Sequence, residues 1–340
     1  YFVGKYAIGG MSLVMPITMF ISVIGMSIGI GGGTLIAKYL GEKKINKANI
    51  VFINMIFMLV ALMLPTTILG YIFPEKIISL FGAKDELYQY AYDYYIVVLG
   101  GAPLLGVAMM LNNTIRSEGK AKTAMYTMFI SAIINIGLDY FFIINQEWGI
   151  KGAAWATNFA QVGAMTYLIW VYGSGKSIIK IKPRHFFISK TAISRIVGIG
   201  SSTFARQSSF SFLTIIVNHA LLYYGTTLDV ATYGILGKII LFIVFPIFGI
   251  SQGFMPIVSF NLGAQKPSRI KKTLDISVLY STGISLSFFI LIFFFPESVV
   301  SLFTNETAFI APTAQALKII SLMLPLVGLQ IIGSSYFQAV

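Results

Sequence analysis

The sequence predicts an all-α integral membrane protein assembled from two similar halves, and three observations carry that prediction. The chain is 56% hydrophobic and only 11% charged, with a mean hydropathy of +0.82, whereas soluble domains carry roughly 25% charged residues. Apolar stretches long enough to cross a hydrocarbon core of about 30 Å recur along the whole length. Motif pairs also recur at one fixed spacing, described below. A net charge of +12 would suggest nucleic acid in a soluble protein. Here the basic residues sit in short loops between apolar runs, which points to topology signalling and anionic lipid contact instead, with no nucleic-acid partner. The chain has no cysteine, which excludes disulfides and thiolate metal sites.

Nine apolar segments follow in order, near 7–37, 49–73, 92–115, 122–145, 152–172, 194–224, 231–260, 273–295 and 314–338. Pro65, Pro103, Pro246 and Pro256 lie inside them, as membrane helices tolerate. One set of loops holds Lys38, Lys43, Lys44 and Lys47, then Arg116, Lys120 and Lys122, then Lys176 to Arg195, then Lys266 to Lys272. The alternate loops hold Glu75, Asp85, Glu86, Asp93, Glu147, Asp229, Glu297 and Glu306. Basic loops stay cytoplasmic, and this alternation fits nine consecutive crossings. The longest basic loop, near 173–195, reads either as a short amphipathic interfacial segment or as a solvated linker.

The repeat sets the architecture. Phe73-Pro74-Glu75 recurs as Phe295-Pro296-Glu297, a shift of 222 residues. The same shift carries Ser79-Leu80-Phe81 onto Ser301-Leu302-Phe303, Leu40-Gly41 onto Leu262-Gly263, Pro103-Leu104 onto Pro325-Leu326 and Gly106 onto Gly328. It superposes basic loops on basic loops and acidic on acidic, so the repeats are parallel and each holds an even number of spans. The predicted fold is two parallel six-helix bundles related by a pseudo-twofold along the membrane normal. Residues 1–175 form an N-terminal bundle lacking its first helix, 176–195 a cytoplasmic basic linker, and 196–340 a C-terminal bundle lacking its last two helices. An intact protein would have twelve spans and roughly 440–460 residues.

Asp139 is the clearest carboxylate within a span, and an intramembrane acid is costly enough to suggest function. Asn135 lies four residues earlier on the same helix face, and Ser131 extends the stripe. A carboxylate at low dielectric favours its neutral form and can load and release a proton; with amide and hydroxyl oxygens nearby it can hold a hard cation instead. Arg206 and Lys238 also fall in spans and should face a lumen or a partner. Gln207, Gln252 and Asn112 are candidate lumen-lining residues or interhelical hydrogen-bonding groups. His219 reads as structural. Gly25, Gly29 and Gly33 follow the small-xxx-small spacing of close helix packing. The run Gly29–Gly33 follows no strand, which rules out a nucleotide loop. No Walker motif, HExxH or serine elbow is present, so no catalytic residue is assigned.

Several stretches are similar to multidrug and toxic compound extrusion (MATE) transporters: GMSIGIGGGTLIAKYLGEKK, its repeat partner GISQGFMPIVSFNLGAQK, NNTIRSEGKAK, and NIGLDYFFI followed by WGIKGAAWAT. The resemblance covers essentially the whole chain. It implies an antiporter that exports small amphipathic, often cationic compounds in exchange for Na⁺ or H⁺, with no other cofactor. It also implies a cation or proton site formed by Asp139, Asn135 and Thr157, with no metal beyond Na⁺ at Asp139. The family also uses an acid on its first helix; this chain has none, which leaves Na⁺ and H⁺ both open. A flippase for lipid-linked saccharides is the alternative reading, and an enzyme is disfavoured. The expected setting is a multi-pass monomer in a bacterial plasma membrane, in contact with lipid and drug-like molecules.

Overall fold

The computed structural model describes residues 5–80, 85–304 and 306–340. The order is α1 (Lys5–Gly41), α2 (Ile45–Ile72), α3 (Pro74–Leu80), α4 (Asp85–Ser117), α5 (Ala121–Asp139) continued by a π-helical turn (Tyr140–Asn145), α6 (Gly149–Gly173), a 3₁₀ turn (Pro183–His185), α7 (Lys190–Tyr224), α8 (Thr227–Gly263), α9 (Pro267–Phe294), α10 (Pro296–Ser301), α11 (Thr307–Ser321) and α12 (Leu324–Ala339).

Each apolar segment of the sequence falls on a helix or helix pair, and most helices run a turn past the apolar residues. Among the described residues, six helices (α1, α2, α4, α5, α8 and α9) are long and apolar enough to cross a membrane. The pair α11–α12 would make a seventh, but it is bent by 55°, where the sequence suggests one segment. Pro325, at the start of α12, lacks the N–H that would continue the turn. Its counterpart Pro103 is absorbed inside α4, which is clamped by α1 on one side and α6 on the other. Asp93 stands inside α4 rather than in a loop, paired with Lys151 at 3.1 Å.

The 222-residue shift reproduces the helix boundaries. It carries α1 onto α8, α2 onto α9, α3 onto α10, and α4 onto the span from Thr307 to Ala339. The turn between the first two helices also repeats, with Lys43 (φ 59°) and Gln265 (φ 55°) in the same left-handed conformation.

The chain divides into two compact units, Tyr1–Phe204 and Ala205–Val340. In the first, α1 packs on α4 and α2, and α4 packs in turn on α6 and α5. Glycines make this possible. A Cβ on Gly25 would come within 2.9 Å of the Gly106 Cα, and one on Gly29 within 2.9 Å of Asn113, both on α4. Gly31 meets the backbone of Ile196 and Gly200 on α7, and Gly32 meets the Met55 side chain on α2. Membrane helices lack a hydrophobic driving force between them, so backbone approach of this kind carries the packing.

In the second unit, α8 packs on α9, α11 and α12. Core positions that are Met55, Leu59, Met63 and Leu99 in the first unit become Ser277, Ser281, Ser285 and Ser321 here, all buried. Their hydroxyls and those of nearby serines bond locally and across helices. Ser251 and Ser335 meet at 2.6 Å, Ser259 donates to Ala339 O at 3.0 Å, and Ser281 donates to Gly328 O at 3.3 Å. Outside the apolar segments, Asp229 caps the start of α8, accepting from the Thr226 backbone N–H at 2.7 Å and its hydroxyl at 2.8 Å. These bonds, the backbone one first, hold its carboxyl below the usual aspartate value.

Gly31→Ala should destabilise the chain by about 1–3 kcal/mol, since backbone must move. Gly253→Ala, at the equivalent position with nothing within 4 Å, should be neutral or stabilising by up to ~1 kcal/mol; thermal unfolding in detergent checks both. A carboxyl held low in the folded state stabilises above its unfolded value, and that benefit disappears as pH falls through the folded value. The melting temperatures of wild type and Asp229→Asn should therefore differ at neutral pH and converge as pH falls below the ordinary aspartate value of about 3.9.

Candidate functional site

Asp139 is the last residue of α5, where the helix widens into the π-helical turn. One face of α5 is apolar and exposed, through Met125, Phe129, Ile133, Ile136 and Tyr140. Along the other face, Thr127 is buried and Ser131, Asn135 and Asp139 are half-buried at four-residue spacing, ending at buried Phe142. That spacing keeps them on one face, and α5 packs against α6 and α4. The carboxylate therefore turns toward neighbouring helices. Its Oδ1 is buried and makes no hydrogen bond, and Tyr94 of α4 is close enough to interact with it electrostatically.

The surroundings of this acid are rigid. Asn158 of α6 donates to Val97 O on α4 at 2.6 Å, and a Cβ on Gly101 would overlap the Asn158 amide. Trp148 stacks on Phe142 with centroids 4.8 Å apart and planes 8° apart, which fixes the exit from the π-helical turn. Such turns occur often at functional sites. Thr157, the neighbour of Asn158, donates its hydroxyl to Ala153 O at 3.0 Å, leaving its oxygen lone pairs to accept. Asp139, Asn135 and Thr157 thus stand on packed helices, with no hydrogen bond to Asp139 Oδ1 from either partner.

A buried carboxylate oxygen without a donor is costly and calls for an explanation. One carboxylate with amide, hydroxyl and backbone oxygens suits a proton or a hard monovalent cation. Among the described residues no group of three or more His, Asp or Glu could hold a metal ion.

The other sequence candidates are scattered. Asn112 uses its amide within the helices, donating to Ala124 O at 2.9 Å and accepting from Arg116 at 2.8 Å. Arg206, on α7, is half-buried with its Nε lacking a hydrogen bond. Gln207 and Gln252 are half-buried, and Lys238 and His219 are exposed. Sequence reasoning missed Tyr94 and Asn158. Tyr94 was hidden in the aromatic run Tyr88–Tyr95, and Asn158 was overlooked beside Thr157 although an amide in an apolar helix is itself a signal.

Long apolar helices in a duplicated order are those of a polytopic membrane protein. The chain belongs to the MatE family, whose model matches residues 1–141 and 203–340. The multidrug export protein MepA of Staphylococcus aureus (strain N315) is 26% identical over 343 residues, covering 100% of this chain and 76% of that protein. MepA of Staphylococcus haemolyticus (strain JCSC1435) is also 26% identical, over 100% of this chain and 75% of that protein. Among solved structures, the MATE multidrug transporter DinF-BH superposes with a TM-score of 0.91 at 32% identity, covering 100% of this chain and 76% of that one. A MATE protein in its bent conformation shares the fold at a TM-score of 0.93 and 24% identity, over 99% of this chain and 76% of that one.

Asn158→Ala should cost about 1–3 kcal/mol, because it removes the bond from this buried amide to Val97 O and its packing on Gly101. Thermal unfolding of the purified chain measures it.

Proposed function

We propose that the chain is a secondary antiporter that exports small amphipathic or cationic organic compounds across a bacterial plasma membrane in exchange for Na⁺ or H⁺. The observation that carries this reading is the buried, unpartnered Oδ1 of Asp139 on a helix long and apolar enough to span. The multidrug relatives and their shared fold support export as the activity. In this reading the chain crosses the membrane nine times with its basic loops cytoplasmic, and it contributes to two parallel six-helix bundles.

Asp139 takes up the coupling ion, and Asn135 and Thr157 supply neutral oxygens beside it. The ion enters as a transported substrate, so the mechanism reduces to differential affinity. Ion and organic compound must favour different conformations, because equal affinity for both shifts nothing. Neutralising Asp139, by proton or by cation, removes the cost of a buried charge between α4, α5 and α6 and so changes which packing of those helices is favoured. The π-helical turn next to Asp139 supplies the place where such a repacking begins, because its wide turn already departs from α-helical register. Arg206, Lys238, Gln207 and Gln252 are the candidates for substrate contact in the second unit.

Asp139→Asn should remove ion-driven efflux of a fluorescent lipophilic cation by at least roughly tenfold, the loss expected when a group essential to coupling is deleted. The chain should still insert and fold. Proteoliposomes with an imposed pH or Na⁺ gradient provide the measurement. Wild-type efflux rates in the variant would remove Asp139 from the mechanism.

A further inference from the structure

Residues 176–189 connect α6 to α7 and are fastened to the first unit through their backbone. The Glu118 carboxylate, whose side chain is 0% exposed, accepts from Ser177 Oγ at 2.6 Å, Ile178 N at 2.9 Å and Lys120 Nζ at 3.0 Å. Lys120 also donates to Lys176 O. Asn49 of α2 accepts from Lys180 N at 3.1 Å. Deeper along α2, the fully buried Asn54 accepts from Ser189 N at 2.8 Å and donates to Phe187 O at 3.2 Å. The 3₁₀ turn is pinned by Arg184, which donates to Asn46 at 2.9 Å, and by His185, which is 2% exposed.

Because Ser177, Ile179 and His185 are buried, the alternate side chains point outward. Ile178, Ile181, Phe186, Phe187 and Ile188 are 40–68% exposed, and Lys176, Lys180 and Lys182 are exposed beside them. No acid occurs from 176 to 200. Ile178 and Ile181 lie among the lysines, but Arg184 and the aromatics after it are attached at different depths along α2. Arg184 sits at Asn46, next to the start of α2, whereas Phe187 sits at Asn54, about 12 Å farther along the helix axis. Phe186 lies against Phe57, ring centroids 6.4 Å apart. The 28 residues of α2 exceed the roughly 20 needed for a hydrocarbon core, so its first turns stand among headgroups and the region of Asn54 reaches the acyl boundary. Irregular backbone at that depth needs internal partners, and the Asn54 amide supplies one acceptor and one donor.

We propose that residues 176–189 form a lipid-anchoring strap that inserts Phe186, Phe187 and Ile188 into the acyl boundary and sets Lys180 and Lys182 against anionic phospholipid headgroups. This rests on the membrane-spanning reading of the chain. Apolar insertion combined with cation–headgroup attraction is the physics of an interfacial anchor. The fixed backbone means that little ordering entropy is lost on contact. A soluble partner protein would not require aromatics sorted below cations along a spanning helix.

The absence of cysteine makes the test clean. A single environment-sensitive thiol label is placed at Phe187→Cys in the full chain, in nanodiscs of phosphatidylcholine with increasing phosphatidylglycerol. Spin-labelled acyl chains, carried on phosphatidylglycerol or on phosphatidylcholine, and aqueous iodide are the competing quenchers. Leu64→Cys, exposed on α2, is labelled as the control for spanning. The proposal expects acyl-chain quenching at 187 at every lipid composition, because the backbone is fixed to α2, and quenching by spin-labelled phosphatidylglycerol roughly tenfold more effective than by spin-labelled phosphatidylcholine, a preference lost in Lys180→Gln/Lys182→Gln. Iodide quenching at 187 with acyl quenching at 64 overturns the strap and leaves the spanning reading intact. Iodide quenching at both positions overturns the spanning reading. Equal quenching at 187 by spin-labelled phosphatidylglycerol and phosphatidylcholine overturns the anionic preference and with it the proposal as stated.

Discussion

The close approach of α1 to its three neighbours is the constraint on which the first unit depends. Within a single turn, Gly29, Gly31 and Gly32 each face a different helix, α4, α7 and α2 respectively. A side chain at any of these positions would push a helix away. In lipid, where apolar side chains gain nothing by leaving one hydrocarbon for another, contact between backbones is what dispersion can use. The acid site inherits this rigidity: α4 is held by α1 on one side and by Asn158 of α6 on the other, and α5 presents Asp139 to that fixed frame.

The second unit solves the same packing problem with different chemistry. Its helices occupy boundaries shifted by 222 residues from those of the first, yet methionines and leucines at four core positions are replaced by serines. A serine fills less volume, and its hydroxyl must find an acceptor when buried. It does so within its own helix, as Ser285 does to Ser281 O at 2.9 Å, or across helices, as in the Ser251–Ser335 pair. Bonds of this kind in membrane helices are modest, on average ~0.6 kcal/mol by double-mutant cycles. A seam built from them repacks at lower cost than one built from interlocked glycines. One duplicated plan thus yields a first unit locked by several glycine contacts and a second that keeps one of them, Gly328 against the Ser281 backbone, beside its hydroxyl bonds.

Much of this was readable in the residues. Hydropathy located the long helices, because a spanning helix must hide its backbone from lipid and that demand leaves a long apolar run, but it did not mark short α3 and α10. The repeat was readable because Phe-Pro-Glu and Leu-Gly mark helix ends, where geometry restricts the residue choice. The α11–α12 bend was not readable, because Pro103 and Pro325 are the same residue in the same register and only the surrounding helices distinguish them. Asp139 was readable because an acid inside an apolar run is rare, and Asn135 followed from helical spacing. Tyr94 comes from a helix more than 40 positions away in sequence, a proximity no local pattern encodes. Nothing local marks Glu118 in its basic loop; only the folded chain shows its side chain buried against Ser177 and Ile178.

In the proposed antiport, Asp139 couples ion occupancy to binding of an organic compound. The most direct measurement is calorimetric titration of the reconstituted chain with a lipophilic cation across a range of pH and Na⁺ concentration, because coupling between two ligands is reciprocal. Cation affinity should change with pH or Na⁺ in the wild type and become independent of both in Asp139→Asn. A wild-type affinity that ignores both variables would rule out coupling through Asp139.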